Sequence, residues 1–137
     1  MSFGRILLGL LALLLVLGFF GYRWAAKIKP TAMTAADLDK GGDFSAEEKS
    51  AFTAACTTRI KKDADKTCGC LADKAATEFS RFERLTMTAS FEGSPAKMVA
   101  IVKGLVDAGV PKDKVEAVRN GSKERITDLM KSCGLTE

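Results

Sequence analysis

Residues 56–70 read CTTRIKKDADKTCGC. The run closes one helical pattern and opens the next, with cysteines on both sides of the turn. Reading back from it, Phe52, Ala55, Cys56 and Ile60 recur at spacings of three and four, the period of a helix with one buried face. Ser45 supplies an N-cap ahead of them, so the pattern predicts a helix from 45 to about Lys62. Reading forward, Asp63–Lys66 makes the turn and a second helix starts near Thr67. Its stripe is Cys68, Leu71, Ala75, Phe79 and Phe82, and it dissolves around MTASFEGSP (87–95). The two helices form a hairpin.

Further along, Ser94 as cap and Pro95 at the first helical position open a third helix that closes at Gly109, with Met98, Ile101, Val102 and Leu105 as its stripe. Pro111 opens a fourth, carrying Val115, Val118, Ile126, Leu129 and Cys133 until Gly134 supplies a left-handed stop. Asn120-Gly121 falls in its middle. Glycine costs about 1 kcal/mol relative to alanine inside a helix, which predicts a kink or a break there. No strand-period alternation stands out. The expected fold is all-α: about four short helices in residues 45–137.

The even set of Cys56, Cys68, Cys70 and Cys133 is spread over three of these helices. A domain of roughly ninety residues buries a limited core, and two disulfides worth about 2–4 kcal/mol each add substantially to its stability. Joining Cys68 to Cys70 would close a strained ring. Cys56 and Cys68 share the core stripes of the hairpin, while Cys70 faces about 160° away and can reach the end of the last helix. Cys56–Cys68 with Cys70–Cys133 is therefore preferred, and Cys56–Cys70 with Cys68–Cys133 comes second. Two functional readings compete with a staple. A thiol pair in TCGC at a helix start would have a depressed pKa, as dithiol redox sites do. Cys68 and Cys70 with methionines would suit Cu(I). The thioredoxin-type site, however, separates its cysteines by two residues, and the methionines do not cluster.

FTAAC at 52–56, CGC at 68–70 and CGL at 133–135 together resemble a loose group of small exported, signal-anchored bacterial helical proteins with one cysteine, then C-x-C, then a last cysteine near the carboxy terminus. The resemblance spans roughly residues 45–137. It implies an all-helical, disulfide-stapled domain and brings no activity and no catalytic residue with it.

Ahead of the domain, ILLGLLALLLVLGFFGY (6–22) carries no charge. Extended to Trp24 it spans about 28 Å as a helix, close to the thickness of a bilayer core. Cleavage after Ala26 would place Trp24 at −3, and cleavage after Ala25 would place Arg23 there; a signal peptidase wants small residues at both −3 and −1. Residues 1–29 therefore read as a retained transmembrane anchor, crossing at 6–24. Arg5, Tyr22, Arg23, Trp24, Lys27 and Lys29 sit at its membrane interfaces. Pro30 and Gly41-Gly42 mark residues 30–44 as a flexible tether. Loop charge does not orient the anchor, since Arg5 stands on one side and three cations on the other. The exported-protein resemblance and the cysteines place the carboxy-terminal domain in the periplasm of a bacterial inner membrane.

The chain has 21 basic and 17 acidic residues. Arg5, Arg23, Lys27 and Lys29 flank the anchor, which leaves 17 basic against 17 acidic in residues 30–137. A neutral domain lacks the basic surplus of a nucleic-acid binder. Histidine is absent, which removes imidazole bases, Ser-His and Cys-His pairs and His-containing zinc sites.

One acidic stretch carries a metal reading. DLDKGGDFSAEE (37–48) overlays a twelve-residue calcium loop with Asp37, Asp39, Ser45 and Glu48 at ligand positions, Asp43 between them and Gly42 at the turn. Gly41 stands where a further ligand belongs, and Ser45 with Glu48 also spells a capping box. Calcium is the cofactor this stretch suggests. The favoured expectation is a non-enzymatic, single-pass membrane protein whose helical domain meets protein partners in the membrane or periplasm. It would serve there as an accessory or assembly subunit. Calcium binding at 37–48 is the alternative, followed by thiol-redox or Cu(I) chemistry at Cys68 and Cys70.

Overall fold

The computed structural model describes residues 3–135, with side chains from Leu8 onward. Among the described residues every regular element is helical: α1 (Phe3–Lys27), α2 (Ala46–Arg59), α3 (Ala64–Glu78), α4 (Arg81–Glu92), α5 (Pro95–Asp107) and α6 (Lys112–Ser132), with a 3₁₀ turn at Ala35–Leu38. The domain is thus an all-α, disulfide-stapled bundle of five helices that follows one long apolar helix.

The helix boundaries follow local chemistry. Ser45 Oγ accepts from the Glu48 N–H and starts α2, which ends at Arg59 rather than near Lys62. Asp63 takes the left-handed conformation (φ 49°) and makes the turn, one of the few side chains that tolerate it. That lets α3 begin at Ala64, three residues before Thr67. The predicted stripe through Phe79 and Phe82 does not belong to one helix. Phe79 is extended, and Ser80 starts α4 through a capping box in which its hydroxyl accepts from the Glu83 N–H while Glu83 accepts from the Ser80 N–H.

The break falls between two buried clusters. Phe79 packs with Phe52, Cys56, Cys68, Leu71, Met87 and Leu129. Phe82 packs with Met33, Ile101, Leu105, Val110 and Val115 in the other. Helix α4 contacts both α2 and α5 and feeds both clusters, Met87 the first and Phe82 the second, while Phe79 enters the first from the extended link ahead of it.

The expected break in the last helix is also absent, for α6 runs unbroken through Asn120-Gly121. Val115, Ser122 and Leu129 are its buried residues, seven apart along one face. Buried Ser122 donates to Glu83 Oε1 at 2.6 Å, and Arg125 pairs with the same carboxylate. A charged hydrogen bond of this kind contributes about 1.5–3 kcal/mol, enough to offset the glycine.

Residues 30–44, read as a free tether, are packed. Met33 is 7% exposed and sits in the second cluster. The Thr31 N–H donates to Ala100 O, and the Gly41 N–H donates to Phe79 O. Apolar burial and backbone pairing hold the segment as a strap across α4 and α5, although its apolar residues Met33, Leu38 and Phe44 follow no helical or strand period.

Candidate functional site

The site most distinctive of this chain is the junction of α1, the strap and α4–α5. Helix α1 is long and apolar enough to cross a membrane, with mean hydropathy 1.8 over Leu8–Lys27 and none of that window buried against the domain. Leu8 through Phe20 carry exposed leucines and phenylalanines, and Tyr22 and Trp24 are exposed near its end. Arg23, Lys27 and Lys29 are exposed around them, with Arg23 stacked on the Phe19 ring at 5.4 Å. The side chain of Arg5 lies outside the described residues.

The end of α1 is fastened. Lys103 of α5 donates through Nζ to Ala25 O at 3.2 Å and to Ile28 O at 2.9 Å. A cation at the last carbonyls of a helix also complements its dipole. Directly behind it, a Cβ on Gly104 would lie 2.0 Å from Thr31 O. Only glycine lets the strap come this close.

Two arginines of α4 grip the rest of the strap. Arg81 donates through Nη1 to Ala32 O (3.0 Å) and Asp37 Oδ2 (3.1 Å), and through Nε to Glu48 Oε1 (2.8 Å). Burial alone would lower the Arg81 pKa, but Glu48 and then Asp37 more than offset it and hold it above its ordinary value. Arg84, 1% exposed, donates to Phe79 O, Gly41 O and Asp43 O at 2.8–3.1 Å and lies 4.8 Å from the Phe44 ring centroid. Burial pulls its pKa down; Glu48 and Asp37 oppose that, and neighbouring Arg81 adds to it.

This grip redistributes the residues of the calcium-loop reading. Asp37 and Glu48 converge on one guanidinium rather than on a common point for an ion. The second interaction of Asp37 is acceptance from the Thr34 N–H. Ser45 caps α2, Asp39 and Asp43 are exposed, and Asp43 contributes its backbone carbonyl to Arg84. Among the described residues, no three His, Cys, Asp or Glu side chains gather in a metal-holding group.

The cysteines form Cys56–Cys68 and Cys70–Cys133, each with Cα atoms 5.8 Å apart. None is free. Cys56 and Cys68 are fully buried, while Cys70 and Cys133 are half-buried at the end of α6. Cys68 and Cys70 thus face different partners and share no thiol pair in this state.

Sequence reasoning passed over Arg81, Arg84, Glu83, Ser122, Arg125 and Lys103. One signal was readable: SRFE at 80–83 is a capping box, and it would have placed the start of α4 and the two arginines on its first turns. The acceptors of Arg84 and Lys103 are backbone carbonyls, which leave no trace in residue identity. Scanned against protein-family models, curated sequences and solved structures, the chain matches no family, no curated protein and no solved structure.

Proposed function

We propose that the protein is a non-enzymatic, single-pass membrane protein whose helical domain works by contact outside the cytoplasm, as an accessory or assembly subunit of a bacterial inner-membrane complex. The observation that carries this reading is the joint between an apolar helix of membrane-spanning length and a stapled bundle, closed by Lys103, Gly104, Arg81 and Arg84. A joint of that kind presents a surface at a set place beside a membrane. The two disulfides suit an oxidising compartment. Lack of histidine and cysteines engaged in bridges leave the usual nucleophile and base pairs unavailable.

The test is in-cell crosslinking followed by gentle extraction from native membranes. A defined neighbouring protein that co-purifies with the full chain, and is lost when the domain surface is altered, is the expected result. Recovery of a free monomer under every mild condition would overturn the reading. In the same preparation, alkylation before lysis should find all four cysteines blocked in the cell. Free thiols would place the domain in a reducing compartment instead.

A further inference from the structure

We propose that the groove between α4, α5 and α6, beside the foot of α1, binds an anionic phospholipid of the membrane that α1 crosses, an inference that rests on the membrane reading above. The groove has a volume of about 260 Å³. Phe82, Met98, Val99 and Val102 form its apolar lining, and Lys103 and Arg119 are its two cations.

Three observations point to a lipid rather than a soluble ligand. First is depth. Lys103 Nζ lies 3.2 Å from the carbonyl of Ala25, one residue beyond Trp24. Exposed Tyr22 and Trp24 are the residues that settle at the headgroup level of a bilayer. The Lys103 edge of the groove is therefore at headgroup height when α1 is inserted. Second is charge. The first acidic residue in the chain is Asp37, while Arg23, Lys27 and Lys29 precede it. Among the described residues neither Lys103 nor Arg119 has an acidic partner. An ammonium has three donors, and Lys103 spends two on Ala25 and Ile28, so one remains for a phosphate oxygen. Third is polarity. An apolar lining beside two cations matches the groups of a phospholipid, whose phosphate adjoins its acyl chains. A free phosphate would have no use for the apolar part.

The test uses the full chain reconstituted in phosphatidylcholine vesicles. A trace of phosphatidylglycerol with a photoactivatable diazirine in the upper acyl chain is added, and crosslinks are mapped by mass spectrometry. A phosphatidylcholine probe with the same diazirine is the control. Both probes should label α1, and the anionic probe should label residues 98–102 at least about fivefold more than the control, the selectivity expected per cation near a membrane surface. Arg119→Gln should remove about that factor. This side chain is exposed and has no acidic partner among the described residues, so the bundle is expected to keep its thermal transition. Labelling of α1 alone would overturn the groove while leaving the membrane reading standing. Labelling of neither would overturn both. Equal labelling by the two probes would overturn the role of the cations. Competition by millimolar inorganic phosphate would mean that the site takes a soluble anion, and would overturn the lipid.

Discussion

At the residue scale, the two arginines of α4 differ in how much they should matter. Arg84 is buried and donates to three carbonyls, whereas the Arg81 side chain is 27% exposed and pairs with half-buried carboxylates. Arg84→Met should lower stability by about 3 kcal/mol, the range for hydrogen bonds from a buried charged donor. Arg81→Met should cost about 1 kcal/mol, because solvent screens its ion pairs. Thermal unfolding followed by circular dichroism checks the order, and a larger loss for Arg81 would contradict the burial argument. The same geometry bears on calcium. With Asp37 and Glu48 engaged by Arg81, calorimetry of the full chain with millimolar calcium is expected to show no binding heat. A saturable heat would mean that these carboxylates leave the arginine for the ion.

At the scale of elements, Gly104 and Gly121 make opposite predictions from the same kind of residue. Gly104→Ala would drive a methyl into Thr31 O and should cost about 2 kcal/mol, loosening the strap and, with it, the seat of Lys103 on α1. Gly121 lies inside an unbroken helix with open space where a Cβ would go, so Gly121→Ala should raise stability by up to about 1 kcal/mol. These two sites also mark how far the sequence could be read. Periodicity found the helical class, the hairpin at 56–70 and the starts at Ser45 and Ser94, because each depends on neighbours within a turn. It missed the Phe79–Ser80 break since two phenylalanines three apart satisfy one helical stripe as well as two separate clusters. It also expected Asn120-Gly121 to kink or break a helix that runs unbroken, because the compensating partner of Ser122, Glu83, lies 39 residues away. The strap was illegible for a similar reason: its holding bonds run mostly through its own backbone, whose carbonyls accept from arginines about 40 or more positions downstream. The acidic loop matched a metal motif by letter spacing, and the residue that claims two of its carboxylates stands 33 or more positions downstream.

For the whole molecule, the two bridges differ in the chain they enclose. Cys56 and Cys68 are 12 positions apart, and Cys70 and Cys133 are 63 apart. Constraint of the unfolded chain is then worth about 3 kcal/mol for the short loop and about 4 kcal/mol for the long one. Removing the second pair by Cys70→Ser with Cys133→Ser should therefore lower stability by about 4 kcal/mol in denaturant unfolding, and the half-buried bridge should yield to a dithiol before the buried one. The fastening of α1 to the bundle reaches further still. A free linker of fifteen residues could let the domain roam roughly 50 Å from its anchor, sweeping a wide hemisphere for any soluble partner that drifts by. Lys103, Met33 and the two arginines shrink that search volume almost to nothing. On the proposed reading, whatever meets this domain has to arrive by lateral diffusion in the same membrane, or stand permanently at its surface, and encounter becomes a two-dimensional problem.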